Sequence, residues 1–496
     1  MMTVAAPAIL SVPTEVPASL RRLLAGLRRV VPSAYLVGGA VRDLASGRLP
    51  ADLDVVTTGD PAHAADAIAR WLGGHAFPLD PDRGHHRVVM EDGGVSVIDV
   101  SQADDVQTDL ARRDFTIDAM AAPILEDGGI GQVIDPFGGL ADLDARALRM
   151  LNPANLKDDP LRLLRAVRIA IELDMRVENS TALAIRSLGP LLDSVAGERV
   201  RDELARIFAS SRAYEGVRLL DSLGLLDVVL PELAPARGVG QPEQHHYYDV
   251  FEHSMHALAS IDEMLQDQPT RTDREWLGPL FREGIDSFDL DSYLAEPIGS
   301  QTRLSLIKFA TLLHDVSKPE TKSIEADGRV RFLGHPELGA VKARAICNRL
   351  RFGSRETHFV GLLVEEHLRP TMLAAARQLP SRRALYRFFR DLGEAAPACL
   401  VLSLADAAGA TGPRLQPERW RGHVAYAAHI LAAQAELNIP AEKAERLISG
   451  RDLIDELGMA PGPELGRVLE AVNEAIAVGE ITTRAGAIEY ARGLTP

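Results

Sequence analysis

Two carboxylates two residues apart on an extended segment project from the same face, and Asp52 and Asp54 in ADLDVVT (51–57) have that spacing. Such a pair can share divalent cations of the Mg²⁺ type, which lower the pKa of an attacking hydroxyl and neutralise charge on a transferred phosphoryl group. Taken alone, the pair reads better as an ordinary solvated strand start. It is preceded by Gly38 and Gly39, which close a short apolar run and open a helix. The missing side chains there let backbone N–H groups approach a triphosphate, and Arg42, in the first turn, could reach the same phosphates.

A different chemistry is available to Asp159 and Arg162 in DDPLRLLRAVR (158–168), which are three apart on an expected helix and so would present neighbouring heads. Adenine and cytosine each show an amino donor beside a ring-nitrogen acceptor. An Asp accepts from the first while an Arg donates to the second, and uracil and guanine present the reverse order. The competing reading is a salt-bridged surface helix. In SRRALYRFFRD (381–391), arginines interleave with Tyr386, Phe388 and Phe389, as on an RNA-touching helix or on one with a buried aromatic face and a solvated basic one.

These groups need elements to position them. Residues 33–60 read as strand, Gly-Gly turn, short helix and second strand. Further strand-like runs cover 87–90, 95–100 and 123–125, and the sheet is expected to end near Asp135. From Asp159 the periodicity is helical. A Pro/Gly-rich stretch at 231–242 reads as a linker, an acidic segment at 270–301 as an insertion, and the tail from Leu447 as two helices around a Pro-Gly-Pro turn. With 496 residues, 46% hydrophobic and only 5% aromatic, the chain can build several domains, rich in helix. Its net charge of −16 does not exclude a nucleic-acid partner, because a local basic surface and bound cations suffice for binding. Cys347 and Cys399 lack metal-type spacing. No signal peptide is recognised at the start and no uninterrupted apolar run spans a membrane, so a cytoplasmic location is expected.

YLVGGAVRD (35–43) followed by ADLDVVT resembles the active-site signature of polymerase-β-like nucleotidyltransferases, and more closely that of class II CCA-adding enzymes and bacterial poly(A) polymerases. The resemblance implies that Asp52 and Asp54 hold Mg²⁺ and that Gly38, Gly39 and Arg42 contact the incoming nucleotide, with Asp99 as a third carboxylate. ARRDFTIDAMA (111–121) resembles the next motif. It implies nucleotide contact by Arg113 and an ordering role for Asp114, with Asp118 standing where the family usually has Asn. DPFGGLADL (135–143) resembles a hinge between head and neck. The templating pair is then Asp159 and Arg162, with Arg165 and Arg168 as further nucleotide contacts, and GERVRDEL (197–204) a brace between helices.

The segments HHYYDVFEHSMHAL, LLHDVSKPET, FLGHPELGA, EEHLRP and SLADAAGA resemble, in order, the pieces of an HD phosphohydrolase domain. That implies His253, His314, Asp315, His335, His367 and Asp406 as ligands of a second divalent metal, on a domain that either hydrolyses phosphoesters or has kept its histidines for packing. The implied fold is α+β: a small mixed-sheet head at 31–150 after an N-terminal extension (1–30), an all-α neck (151–240), an HD-type body (241–410) and a helical tail (411–496). The implied function is template-independent addition of C, C and A from CTP and ATP to the tRNA 3′ end, with no DNA or membrane partner. Poly(A) addition shares these motifs, and a phosphohydrolase whose head only binds RNA is the rival of another class.

Overall fold

The computed structural model describes residues 16–80, 84–90, 95–103, 105–266, 274–374, 379–436 and 447–494. The chain divides into two compact units, one of residues 1–195 with 223–225, the other of 196–222 with 226–496. The segment expected as a continuous neck is therefore shared between them.

The first unit is built on a six-stranded mixed sheet of order β3-β4-β5-β2-β1-β6. Its strands are β1 (Tyr35–Val37), β2 (Asp52–Thr57), β3 (His75–Asp80), β4 (His85–Val89), β5 (Val97–Gln102) and β6 (Ala121–Pro123). Only β2 and β5 are parallel, and every other neighbour pair is antiparallel. Alternation along each strand assigns the two faces. On the back, Leu53, Ile98 and Val88 lie opposite one another. They share one apolar core with Leu20, Leu24 and Leu27 of helix α1 (Ala18–Val30) and with Ala65, Ile68 and Ala69 of α3 (Pro61–Leu72). Helix α1 falls in the stretch read as an extension, yet its apolar stripe is part of the sheet's back wall. Between them, α2 (Gly39–Ala45) joins β1 to β2.

The front is covered on one side only. Val37 and Val56 pack with Val106 and Leu110 of α4 (Val106–Ala111) and with Ala119 and Ala121. Toward the other edge Phe77 and Val89 stay exposed. Strand β3 was not expected, because Pro78 interrupts its pattern; an edge strand tolerates proline where a central one does not.

After the sheet come α5 (Gly139–Asp144), α6 (Pro153–Asp158) and α7 (Arg162–Glu172). The expected hinge motif is a capped helix start: the Asp135 carboxylate accepts from the Gly139 and Leu140 N–H groups at 2.7 and 2.9 Å. Gly138 takes φ +77°, a conformation that favours glycine.

The second unit is helical apart from short hairpins. Helices Val250–Leu265, Arg303–Leu313 and Ala396–Thr411 bury most of their side chains. One stretch among the described residues, Arg382–Arg414, is long and apolar enough to cross a membrane, but 83% of its most apolar window is buried inside the protein, as expected of a core helix. The expected insertion, part of which lies outside the described residues, forms helices Leu277–Gly284 and Leu290–Ala295 with Leu277, Phe281 and Leu290 buried. The Trp420 indole donates to the Leu277 carbonyl at 3.0 Å.

The tail has three helices rather than two, at Gly450–Leu457, Pro463–Ala477 and Arg484–Leu494, around a core of their own. Helix Arg382–Leu392 buries Leu385, Phe388 and Phe389. Its Arg383, Arg387 and Arg390 pair with Glu480, Glu474 and Glu470 of the tail, so these arginines join body to tail.

Candidate functional site

Strand β1 delivers the chain into Gly38 at φ +65°, and the β1–β2 register sets Val37 opposite Asp54. A Cβ at Gly38 would collide with Arg113 Nη1 and come within 3.0 Å of Asp54 Oδ2. Gly38, Asp54 and Arg113 therefore meet at one point. Arg113 Nη1 lies 3.9 Å from Asp54 Oδ2, and its Nε donates to Asp109 Oδ2 at 3.0 Å. Arg42, one helical turn on, donates to Asp118 Oδ1 at 2.6 Å and Asp43 Oδ1 at 2.9 Å. Asp118 Oδ2 is buried and takes no hydrogen bond.

Removal from bulk water raises the Asp54 carboxyl above its ordinary value; Arg113 opposes this, while the Asp99 and Asp118 carboxylates add to it. An excess of carboxylate around two hard oxygen donors is what a divalent cation relieves, and Asp52, exposed at the start of β2, completes the pair that would hold it. Asp99, expected as a third ligand, is taken differently. It faces Asp54 across the sheet, but both its oxygens accept from Arg87, at 2.8 Å each.

Asp114 is buried and accepts from Arg165 Nε at 2.9 Å. Burial works against its anion, but Arg165 and Arg162 outweigh it and hold the carboxyl below its usual range. Asp159 and Arg162 do not share a helix. Asp159 is extended, at φ −139° and ψ 92°, where α6 ends, and α7 begins at Arg162. Pro160 is the reason, since a residue before proline is pushed out of the helical region. The two remain neighbours through a turn, the Arg162 N–H donating to the Asp159 carbonyl at 3.0 Å. Arg162 Nη1 is anchored on the carbonyls of Arg112 and Asn155. Arg168 is buried and pairs with Glu172 at 2.7 Å.

In the second unit the six expected ligands do converge. His253 Nε2 lies 3.3 Å from Asp315 Oδ2 and 3.0 Å from Asp406 Oδ1, and His314 Nε2 lies 3.2 Å from Asp315 Oδ2. On the other oxygen, His335 Nε2 and His367 Nε2 lie 3.4 and 3.8 Å from Asp315 Oδ1, which accepts no hydrogen bond. His314, His335 and His367 each place Nδ1 2.7 Å from a backbone carbonyl, of Thr311, Phe332 and Val364. A carbonyl can only accept, so each Nδ1 carries a proton and Nε2 is the ring nitrogen left facing the cluster. The buried donors form two sets, His253 with His314 and Asp315, and Asp315 with His335 and His367. One carboxylate is common to both, and the nitrogen and oxygen donors suit divalent ions.

Sequence reasoning missed Lys318 and His246. Lys318 Nζ sits 2.6 Å from Asp315 Oδ2; its i+3 spacing from Asp315 on a helical segment was the available signal. His246 packs edge-on to His253 at 4.9 Å from a loop, where no periodicity points to it.

The Poly A polymerase head domain family matches residues 34–101 and 87–149. The "Probable RNA and SrmB- binding site of polymerase A" family matches 174–237, the HD domain 288–411 and tRNA nucleotidyltransferase domain 2 417–491. The A-adding tRNA nucleotidyltransferase of Deinococcus radiodurans is 37% identical over 91% of this chain and 93% of that protein. The CC-adding tRNA nucleotidyltransferase of Thermus thermophilus is 35% identical over 91% of each. The chain belongs to the tRNA nucleotidyltransferase family. Its fold agrees with that membership: the Thermotoga maritima CCA-adding enzyme complexed with tRNA aligns over 96% of this chain and 94% of its own, at 20% identity and a TM-score of 0.57. A CCA-adding enzyme complexed with ATP aligns at a TM-score of 0.59 and 20% identity, over 95% and 93% of the two chains. In this family member the HD match begins after His253, so that expected ligand comes from outside the matched segment.

Proposed function

We propose that the chain adds C, C and A from CTP and ATP to the 3′ end of tRNA, without a nucleic-acid template. The carrying observation is the meeting of Gly38, Asp54 and Arg113 beside Asp52, at the mouth of a helix start. Asp52 and Asp54 would hold Mg²⁺, which supplies charge neutralisation at the triphosphate and acidifies the acceptor hydroxyl. The side chain absent at Gly38 lets Arg113 close on Asp54, beside the backbone N–H groups of the helix start that would take the triphosphate. Asp159 and Arg162 read the base, Arg162 held in place by two carbonyls. In this reading the partners are RNA and nucleotides in the cytoplasm, with neither DNA nor a membrane.

The test is incorporation into tRNA lacking its CCA end, and into tRNA ending in CC, with CTP and ATP supplied singly and together. Two C on the first acceptor and one A on the second are expected. Addition of A alone or of CC alone would replace the reading by one of the activities that the two relatives' names carry. Long tails from ATP without use of CTP would reject it in favour of poly(A) addition.

A second activity is favoured by the shared Asp315 and its two donor sets: metal-dependent hydrolysis of phosphoesters at the histidine cluster. His314→Ala with Asp315→Ala should abolish hydrolysis of a phosphoester substrate and leave incorporation, while Asp52→Ala with Asp54→Ala should do the opposite. Loss of all catalysis in the first variant alone would make the head an RNA-binding module.

A further inference from the structure

The register of the sheet lines up a row that crosses five strands on the face of the carboxylates. Val37 lies opposite Asp54, Asp54 opposite Asp99, Asp99 opposite Arg87, and Arg87 opposite Phe77. Next to it runs a second row, Asp52, Val97, Val89 and His75. At the β1 end this face is covered by Val106 and Leu110. At the β3 end it stays open, with Phe77 42% and Val89 36% exposed.

An apolar edge of this kind is a liability that proteins usually blunt with charge, so an aromatic kept there calls for a use. Pro78, next to Phe77, removes a donor that a further strand would need. Another strand is therefore a poor occupant. Arg87 is pinned flat by both oxygens of Asp99, which offers a fixed guanidinium without a free charge.

Resting on the transferase reading above, we infer that this open half-face is the platform for the 3′-terminal nucleotides of the acceptor RNA, with Phe77 stacking on a base and Arg87 and Val89 flooring the path. The argument is one of sides. Gly38, Arg42 and Arg113 gather the triphosphate at the β1 and α2 end. The acceptor hydroxyl must then reach Asp52 and Asp54 from the β5 end, across Arg87 and toward Phe77. Three strand spacings separate Phe77 from Asp54, about 14 Å, within reach of the strand that ends at the metal site. A base stacks on any aromatic ring whatever its identity, which suits an acceptor whose last residue changes as it is extended.

Steady-state incorporation with Phe77→Ala tests this. The apparent KM for tRNA should rise about tenfold, within the range of one lost base–aromatic stack, while the KM for nucleotide stays put. Phe77→Tyr should restore the acceptor KM and Phe77→Leu should not, and thermal melting of all three should match the parent because the side chain is exposed. An unchanged acceptor KM in Phe77→Ala, or rescue by Leu, overturns the platform and leaves the transferase reading intact. A parent protein that incorporates nothing into tRNA overturns both.

Discussion

Gly38 tolerates little change. Its φ of +65° is strained for any side chain, and a Cβ there would drive Arg113 away from Asp54. Gly38→Ala should therefore lower kcat for incorporation by a hundredfold or more, on the order of the loss when a reacting group is displaced by an ångström. Circular dichroism should show the fold retained. Asp54→Asn removes the charge proposed to hold metal and should leave no measurable incorporation at the parent's Mg²⁺ optimum; activity with the parent's own Mg²⁺ dependence would mean that Asp54 is not a ligand. The carboxylate pair and the glycine turn were legible in sequence because adjacency and alternation bring their members together, whereas the histidine cluster, spread from His253 to Asp406, was legible only through its resemblance to the pieces of an HD domain. The partners of Asp99 and Arg42 were not. Arg87 reaches Asp99 through an antiparallel register, and Asp118 reaches Arg42 across 76 residues, and neither link has a local pattern. Asp159 was misplaced by reading helical spacing through Pro160.

Among the elements, α1 and β3 show where periodicity helps and where it does not. The leucines of α1 are spaced for one helical face, yet nothing in the sequence says which sheet they cover. Leu24→Ala should destabilise the head by about 2–5 kcal/mol, the range for truncating a buried leucine, measurable by denaturant unfolding; a change below that range would set α1 apart from the core. The helix Asn179–Leu188 offers a pH test. Glu178 caps it by accepting from the N–H groups of Ser180 and Thr181, and its hydrogen bonds to the Ser180 hydroxyl and backbone lower the carboxyl to about 2. A depressed carboxyl contributes stability that is fully present above its unfolded value near 4.5 and is lost as pH falls through about 2. Thermal melts of Glu178→Gln should therefore show a shallower acid-side decline than the parent between those limits, with the two curves parallel above pH 5.

At the scale of the whole molecule, the chain parts into two compact units inside the stretch read as neck. The neck is divided at Val195, because helices without a sheet between them give no compositional mark where one core ends. Body and tail meet through three arginines that composition had offered to RNA. Arg387 is the telling member, since Glu474 opposite it is buried. Arg387→Ala should cost about 1–3 kcal/mol, because it leaves that buried carboxylate with Arg383 at 3.9 Å in place of a bidentate pair, whereas Arg383→Ala, whose close pair with Glu480 is exposed, should cost under about 1. Hydrogen exchange in helix Pro463–Ala477 would report the difference. The histidine cluster carries a consequence of another kind. Because Asp315 serves both donor sets with one charge, an ion already clasped by Oδ2 leaves less attraction for a newcomer at Oδ1. Loading should then proceed in two well-separated waves, and a cell short of metal would keep this centre half full rather than divide its molecules into full and empty.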